Sequence, residues 1–75
     1  MPYIAVKAFP RPEGMKEKIA EKLNEAIMEV TGCPQEGVSI SIEYVEREEW
    51  DEKVTKPEMD PRDADMLILH GVKRY

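Results

Sequence analysis

The chain has 75 residues, of which 41% are apolar, so it has room for one small domain. A folded chain of this length buries only about 60% of the surface that its extended form exposes, which leaves a thin core. Chains of this size gain stability from disulfides, a structural metal or self-association. With one cysteine and one histidine, Cys33 and His70, neither an internal disulfide nor a four-ligand zinc site can form. We therefore expect self-association.

The net charge of -5 opposes non-specific binding to nucleic acid or to an anionic membrane. No apolar run approaches the roughly 20 residues that a membrane span needs, and no charged-then-apolar signal segment opens the sequence. The single cysteine fits a reducing compartment. We expect a cytoplasmic protein with neither nucleic acid nor a membrane as its partner.

The first predicted element is a strand. From Tyr3 to Ala8, side chains alternate so that Ile4, Val6 and Ala8 share one face. Residues 10–14, PRPEG, follow directly. Their two prolines fix φ and lack N–H donors, so the strand ends there.

The second predicted element is an amphipathic helix from about Glu13 to Thr31. Gly32 stands where a left-handed C-terminal cap is expected, and Pro34 cannot continue the helix. The apolar positions recur at steps of three and four residues, as helical periodicity requires: Met15, Ile19, Leu23, Ala26, Ile27 and Val30.

A second strand follows, in which Val38, Ile40, Ile42 and Tyr44 alternate with polar residues. A helix of this length between two strands is typical of a right-handed crossover, so we predict parallel strands and one βαβ unit. Two strands and one helix are marginally stable alone, and a second copy would complete the sheet. We predict a single domain over residues 1–75.

The remaining thirty residues are less clearly patterned. The stretch Glu46–Val54 suits a short helix, while the Lys-Pro and Asp-Pro pairs at 56–57 and 60–61 predict breaks. The apolar run at residues 66–69 fits either a buried strand or a helical turn, and both alternatives stay open.

One candidate for chemistry is the second residue. Initiator methionine is normally removed when the next residue is small, so Met1-Pro2 predicts a mature chain with a free secondary amine. Free α-amino groups titrate at roughly 7.7 to 8.0, within reach of acid–base use near neutral pH. Ile4 and Val6 would supply apolar walls, and Arg11 a cation for a substrate carboxylate.

The start MPYIAVKAFPR, the uninterrupted helix, the strand VSISIEYVE and the aromatic in REEW together resemble the 4-oxalocrotonate tautomerase family, over about 50 of the 75 residues. The resemblance implies an α/β fold in which a βαβ unit with a short C-terminal helix dimerises into a four-stranded sheet covered by two helices. It also implies an isomerase, a cofactor-independent and metal-free keto–enol tautomerase. Its substrate would be a small 2-oxo acid or an aryl enolpyruvate, with Pro2 as the catalytic acid/base.

The resemblance also implies roles for other residues. Arg11 stands one residue from the family's first active-site arginine and would bind the substrate. Ser39 occupies the place of a second arginine, which favours an aromatic enol or a monoacid over a dicarboxylate. Trp50 matches an aromatic that walls the family's pocket, and a core position for its indole remains the alternative.

The tail lacks the family's glycine-rich C-terminal hairpin, so we expect no hairpin there. Its Trp and Lys-Pro spacing resembles the dimeric bacterial tautomerases, which implies a homodimer, with a hexamer left open. Cys33 is interpreted as a semi-buried small residue and His70 as a bystander. If Arg11 does not bind the carboxylate, the next candidates are Lys7, Arg47 and Arg74.

Two other functions remain open. One is a related hydratase, dehalogenase or decarboxylase of the same superfamily. The other is a non-catalytic dimeric binding or scaffold protein with the same fold, for which the missing second arginine is the main support.

Overall fold

A computed structural model describes all 75 residues, which form two compact units, Met1–Val45 and Glu46–Tyr75. In the first unit, strands β1 (Tyr3–Ala8) and β2 (Ser39–Tyr44) pair in parallel, joined by helix α1 (Met15–Thr31). The predicted βαβ unit is confirmed. One domain over residues 1–75 stays a prediction.

The two-stranded sheet has one apolar and one polar face, because side chains alternate along each strand. Grooves between α1 and β2 are lined by Ala20, Ile40 and Ile42, so the helix lies on the apolar face. The opposite face carries a cross-strand ion pair in which Lys7 Nζ lies 3.7 Å from Glu43 Oε1. Its other side chains are mostly small and all are exposed: Tyr3, Ala5, Ser39 and Ser41.

Glycines mark both ends of α1. Gly14 precedes the helix with φ 88°, and Gly32 follows it with φ 72°, both in the left-handed region that favours glycine. The N–H of Gly32 donates to the Met28 carbonyl at 2.8 Å, which is the predicted C-terminal cap.

A 3-10 turn, Gln35–Gly37, leads from α1 into β2. Two reciprocal hydrogen bonds between amide side chains tie this turn to the helix. Asn24 Nδ2 donates to Gln35 Oε1 at 3.0 Å, and Gln35 Nε2 donates to Asn24 Oδ1 at 2.8 Å. These bonds hold the turn at the edge of the sheet where both strands begin.

The second unit confirms a short C-terminal helix but not its predicted extent. A 3-10 turn, Arg47–Glu49, precedes a π-helical segment, Asp51–Met59, that contains Pro57. The predicted break at residues 56–57 is therefore wrong. Pro57 has no N–H, so one backbone hydrogen bond of the segment is not made, but the segment continues to Met59. The predicted break at 60–61 coincides with a change to a 3-10 segment, Asp60–Asp65.

The chain ends in a short hairpin, contrary to our expectation. Strands β3 (Ile68–Leu69) and β4 (Val72–Lys73) pair antiparallel. His70 and Gly71 between them have φ values of 49° and 79°, the two positive values that a type I′ turn requires. The apolar run thus contains a strand, and Ile68 is exposed rather than buried.

Few residues are buried. Gly37, Val45 and Val54 are the buried residues of the chain, and α1 has none. Val30 on that helix is 84% exposed. The apolar faces are thus half-covered, as expected for a chain of this length. No helix has both the length and the apolar character needed to cross a membrane.

We predict that the amide pair contributes to stability. Asn24→Ala and Gln35→Ala should each lower the free energy of unfolding by about 0.5 to 1 kcal/mol, since each loses both hydrogen bonds. The double variant should be no less stable than either single variant. Urea unfolding at one protein concentration measures this. Glu29→Ala, an exposed substitution on α1, is the control. Additive losses in the double variant would contradict the coupling.

Candidate active site

Pro2 lies directly before β1 and is half-buried. Its carbonyl oxygen accepts a hydrogen bond of 3.1 Å from the N–H of Ser39, which extends the β1–β2 ladder by one residue. The sheet therefore fixes the position of the pyrrolidine ring.

Beside Pro2 lies Gly37, one of the few buried residues. A Cβ placed on Gly37 would lie 3.5 Å from Met1 Cα and 4.0 Å from Pro2 Cδ. Met1 itself is fully exposed. Sequence reasoning missed Gly37. The available signal was a glycine just before the second of two parallel strands, at the edge where Pro2 begins the first.

Cys33 belongs to the same end of the unit, because α1 runs back from the ends of the strands to their starts. It is half-buried, as predicted, and its N–H donates to Thr31 Oγ1 at 3.3 Å. Nothing in its contacts indicates a nucleophile.

Arg11 lies at the opposite end of β1 from Pro2. Six strand residues separate the two, and at about 3.3 Å per residue this amounts to roughly 20 Å. Arg11 is exposed, and no ion pair holds its guanidinium. A single chain therefore does not bring Pro2 and Arg11 together.

Near Arg11 is a second feature that sequence reasoning missed. Lys16 Nζ lies 4.6 Å from the centroid of the Tyr44 ring, a cation–π contact. The hydroxyl of Tyr44 is buried without a hydrogen-bond partner. These two residues border a cavity of about 250 Å³ with Pro12 and Gly14 at the start of α1. Glu13 and Glu17 also line it, so its charge is mixed.

Trp50 belongs to the second unit. It is half-buried and joins the 3-10 turn to the π-helical segment, with its backbone N–H donating to the carbonyl of Arg47. Its predicted role as a pocket wall, and the alternative of a core indole, both fit a half-buried ring.

Two of the alternative cations already have acidic partners. Lys7 pairs with Glu43, and Arg74 Nη2 lies 3.5 Å from Asp63 Oδ2. His70 is an exposed residue of the hairpin turn. No group of three or more His, Cys, Asp or Glu residues is placed to hold a metal ion. Arg11 is therefore better placed than Lys7 or Arg74 to bind a carboxylate, because no acidic side chain pairs with it.

Comparison with known proteins shows the family of the chain. A model of the tautomerase enzyme family matches residues 2–51. A probable tautomerase of Xylella fastidiosa is 33% identical over 72 residues, covering 95% of this chain and 88% of that protein. A probable tautomerase of Bacillus cereus is 40% identical over 48 residues, covering 63% and 79%. The tautomerase PptA of Cronobacter sakazakii is 30% identical over 64 residues, covering 83% and 84%.

The family match begins at Pro2, includes the whole βαβ unit and ends one residue after Trp50. It therefore covers the three residues that the sequence singled out for chemistry. The chain belongs to the tautomerase family and is an isomerase of that class.

Proposed function

We propose that the chain, once Met1 is removed, interconverts the keto and enol forms of a small 2-oxo acid or an aryl enolpyruvate, with the amine of Pro2 moving the proton. The observation that carries the proposal is the position of Pro2. Its carbonyl is fixed by Ser39 at the edge of the sheet, and its ring faces the side-chain-free surface of Gly37.

The reaction needs one group that both donates and accepts a proton. In the ketonisation direction, the protonated amine of Pro2 donates a proton to the carbon of the enol. The neutral amine that remains accepts the proton of the enol oxygen, which becomes the carbonyl. One proton leaves oxygen and one arrives at carbon, so the amine is regenerated. Free α-amino groups, which titrate at roughly 7.7 to 8.0, supply both forms near neutral pH.

The uncharged residue beside Pro2 supports this substrate class. Ser39 contacts Pro2 through its backbone N–H and offers no positive charge at the start of β2. A dicarboxylate would need two cationic contacts, whereas a monoacid or an aryl enol needs one. We therefore favour an aryl enolpyruvate or a small 2-oxo monoacid.

The single cation would come from a second copy. Two copies related by a two-fold axis, with their sheets side by side and antiparallel, bring the end of β1 in one to its start in the other. Arg11 of one protomer would then lie near Pro2 of its partner. The separation of roughly 20 Å between Pro2 and Arg11 of one chain would then not prevent the two groups from meeting in the dimer.

Family membership supports self-association, and the exposed surface supports a dimer. The helix has no buried residue, and one face of the sheet is uncovered. A four-stranded sheet covered by two helices would pair a free strand edge and bury more of the helix, which a sheet of two strands needs for stability. A hexamer is the alternative assembly. A cytoplasmic location stays a prediction from the single cysteine.

A non-catalytic scaffold with the same fold is the second candidate function. The observation that favours it is that Ser39, an uncharged residue, lies beside Pro2 at the start of β2. A hydratase, dehalogenase or decarboxylase of the same superfamily is the remaining alternative, and no contact in the structure favours it.

We predict that Pro2→Ala keeps partial activity, because processing leaves a primary amine in the same place. Inserting one alanine between Met1 and Pro2 should reduce kcat by at least about 100-fold, since the proline nitrogen becomes an amide and general acid–base catalysis is lost. Intact mass confirms processing, and ketonisation of phenylenolpyruvate gives the rates. An extended chain that turns over substrate as fast as the parent would exclude Pro2 as the acid/base.

Arg11→Ala should raise KM about tenfold or more with little change in kcat, since a charged hydrogen bond contributes roughly 1.5 to 3 kcal/mol. Lys18→Ala removes the same charge from an exposed position of α1 and should leave KM unchanged. Steady-state kinetics on phenylenolpyruvate measures both. An unchanged KM for Arg11→Ala would remove this residue from the site.

Mixed oligomers test whether Arg11 acts on its own protomer or on its partner. Chains with the alanine insertion and intact Arg11 are refolded together with Arg11→Ala chains that have an intact Pro2. Action across the interface predicts that mixing restores a site with the parent KM. If joint refolding does not restore the parent KM, Arg11 does not act on the partner.

Sedimentation equilibrium at micromolar concentration should give twice the mass of the chain. The unburied helix and the small number of buried residues leave a single copy with too small a core. A folded monomer would contradict self-association, and six times the mass would replace the dimer by the hexamer.

A further inference from the structure

The four glycines of the chain fall into two groups. Gly14, Gly32 and Gly71 have φ values of 88°, 72° and 79°, and a Cβ on any of them would meet nothing within 4 Å. Their left-handed backbone conformation explains why glycine stands at these three positions. Gly37 does not have such a φ, and a Cβ there would meet Met1 and Pro2. Its position beside Met1 and Pro2, rather than its backbone conformation, distinguishes this glycine.

Met1 occupies that space before processing. Its Cα would lie 3.5 Å and its Cγ 3.7 Å from a Cβ on Gly37. When Met1 is removed, the bond from the Pro2 nitrogen to the Met1 carbonyl carbon is replaced by an N–H or a lone pair. An atom that exchanges a proton with this nitrogen must approach along the same direction. The substrate therefore enters the space that Met1 leaves, against Gly37.

The turn that carries Gly37 is held in place. Its N–H donates to the carbonyl of Pro34 at 3.0 Å, and the preceding Gln35 is bound to Asn24 by two hydrogen bonds. A side chain added at Gly37 would therefore project into the space beside Pro2, because the turn that carries it is held in place.

We infer that Gly37 is a specificity-determining residue, whose missing side chain admits the bulky end of an aryl 2-oxo acid beside the Pro2 amine. The inference rests on the proposed function for its substrate class. It assigns the space vacated by Met1, bounded by Gly37, as the part of the site that sets substrate size.

The first test compares processed Gly37→Ala with the processed parent. Exchange of the C3 protons with deuterium, followed by NMR, reports on 2-oxobutanoate as the small substrate and phenylpyruvate as the bulky one. For phenylpyruvate, kcat/KM should fall about tenfold or more, mainly through KM, because the added methyl group takes up space where the aromatic ring would lie, and one methyl group can change kcat/KM by about that much. For 2-oxobutanoate it should stay within about twofold. Equal effects on the two substrates would overturn the inference.

The second test needs no turnover. An aldehyde condenses with the Pro2 amine, releasing water, and cyanoborohydride reduces the iminium to a tertiary amine that mass spectrometry of the N-terminal peptide quantifies. The ratio of the benzaldehyde rate to the formaldehyde rate should fall about tenfold in Gly37→Ala. It should not change in Ser41→Ala, which alters an exposed residue of β2. An unchanged ratio in Gly37→Ala would overturn the inference even if the parent is an active tautomerase.

The two tests separate the inference from the proposed function. A parent without turnover contradicts the proposed function, while the aldehyde ratios still decide the role of Gly37. Chains of Gly37→Ala that retain Met1 should unfold at the same urea concentration as the parent, because the added methyl group makes only ordinary van der Waals contacts. Loss of folded structure would contradict the geometry on which the inference rests.

Discussion

The parallel pairing of β1 with β2 determines where every candidate residue lies. Parallel strands begin at one edge of a sheet and end at the other, and the crossover helix must run back between them. Pro2 and Gly37 are therefore neighbours although 35 positions apart in sequence, while Arg11 and Tyr44 lie at the far end. Ile4 opposite Ile40 and Val6 opposite Ile42 hold this register, because a shift by one residue would turn the apolar side chains away from α1.

Self-association would both enlarge the small core and bring together the separated parts of the proposed site. A single βαβ unit leaves α1 without a buried residue, and it leaves the proposed acid/base and the proposed carboxylate-binding residue at opposite ends of a strand. An antiparallel second copy would cover apolar surface, and the same arrangement would bring its Arg11 to the Pro2 amine. Stability and catalysis would then depend on the same interface. Substitutions that weaken association should for this reason reduce activity even when they lie far from Pro2.

Local signals predicted much of the first unit. The alternation in the strands, the three- and four-residue spacing in α1 and the glycine at position 32 each have one structural interpretation. The second unit was harder, because short apolar runs fit strand and helix alike. The π-helical path through Pro57 and the hairpin at His70-Gly71 depend on backbone conformations that periodicity does not report. Gly37 was missed for another reason: a glycine before a strand normally indicates a turn, and the contact with Pro2 follows only when the parallel pairing of the two strands is taken into account.

The central claim is that the amine freed by loss of Met1 carries the reaction. Treating chains that retain Met1 with a methionine aminopeptidase, and sampling over time, gives preparations with different fractions of processed chain. Intact mass measures each fraction, and ketonisation of phenylenolpyruvate measures the activity of the same sample. The account predicts that activity rises in proportion to the processed fraction and extrapolates to the uncatalysed rate when none is processed. Activity that is already full in chains retaining Met1 would contradict it.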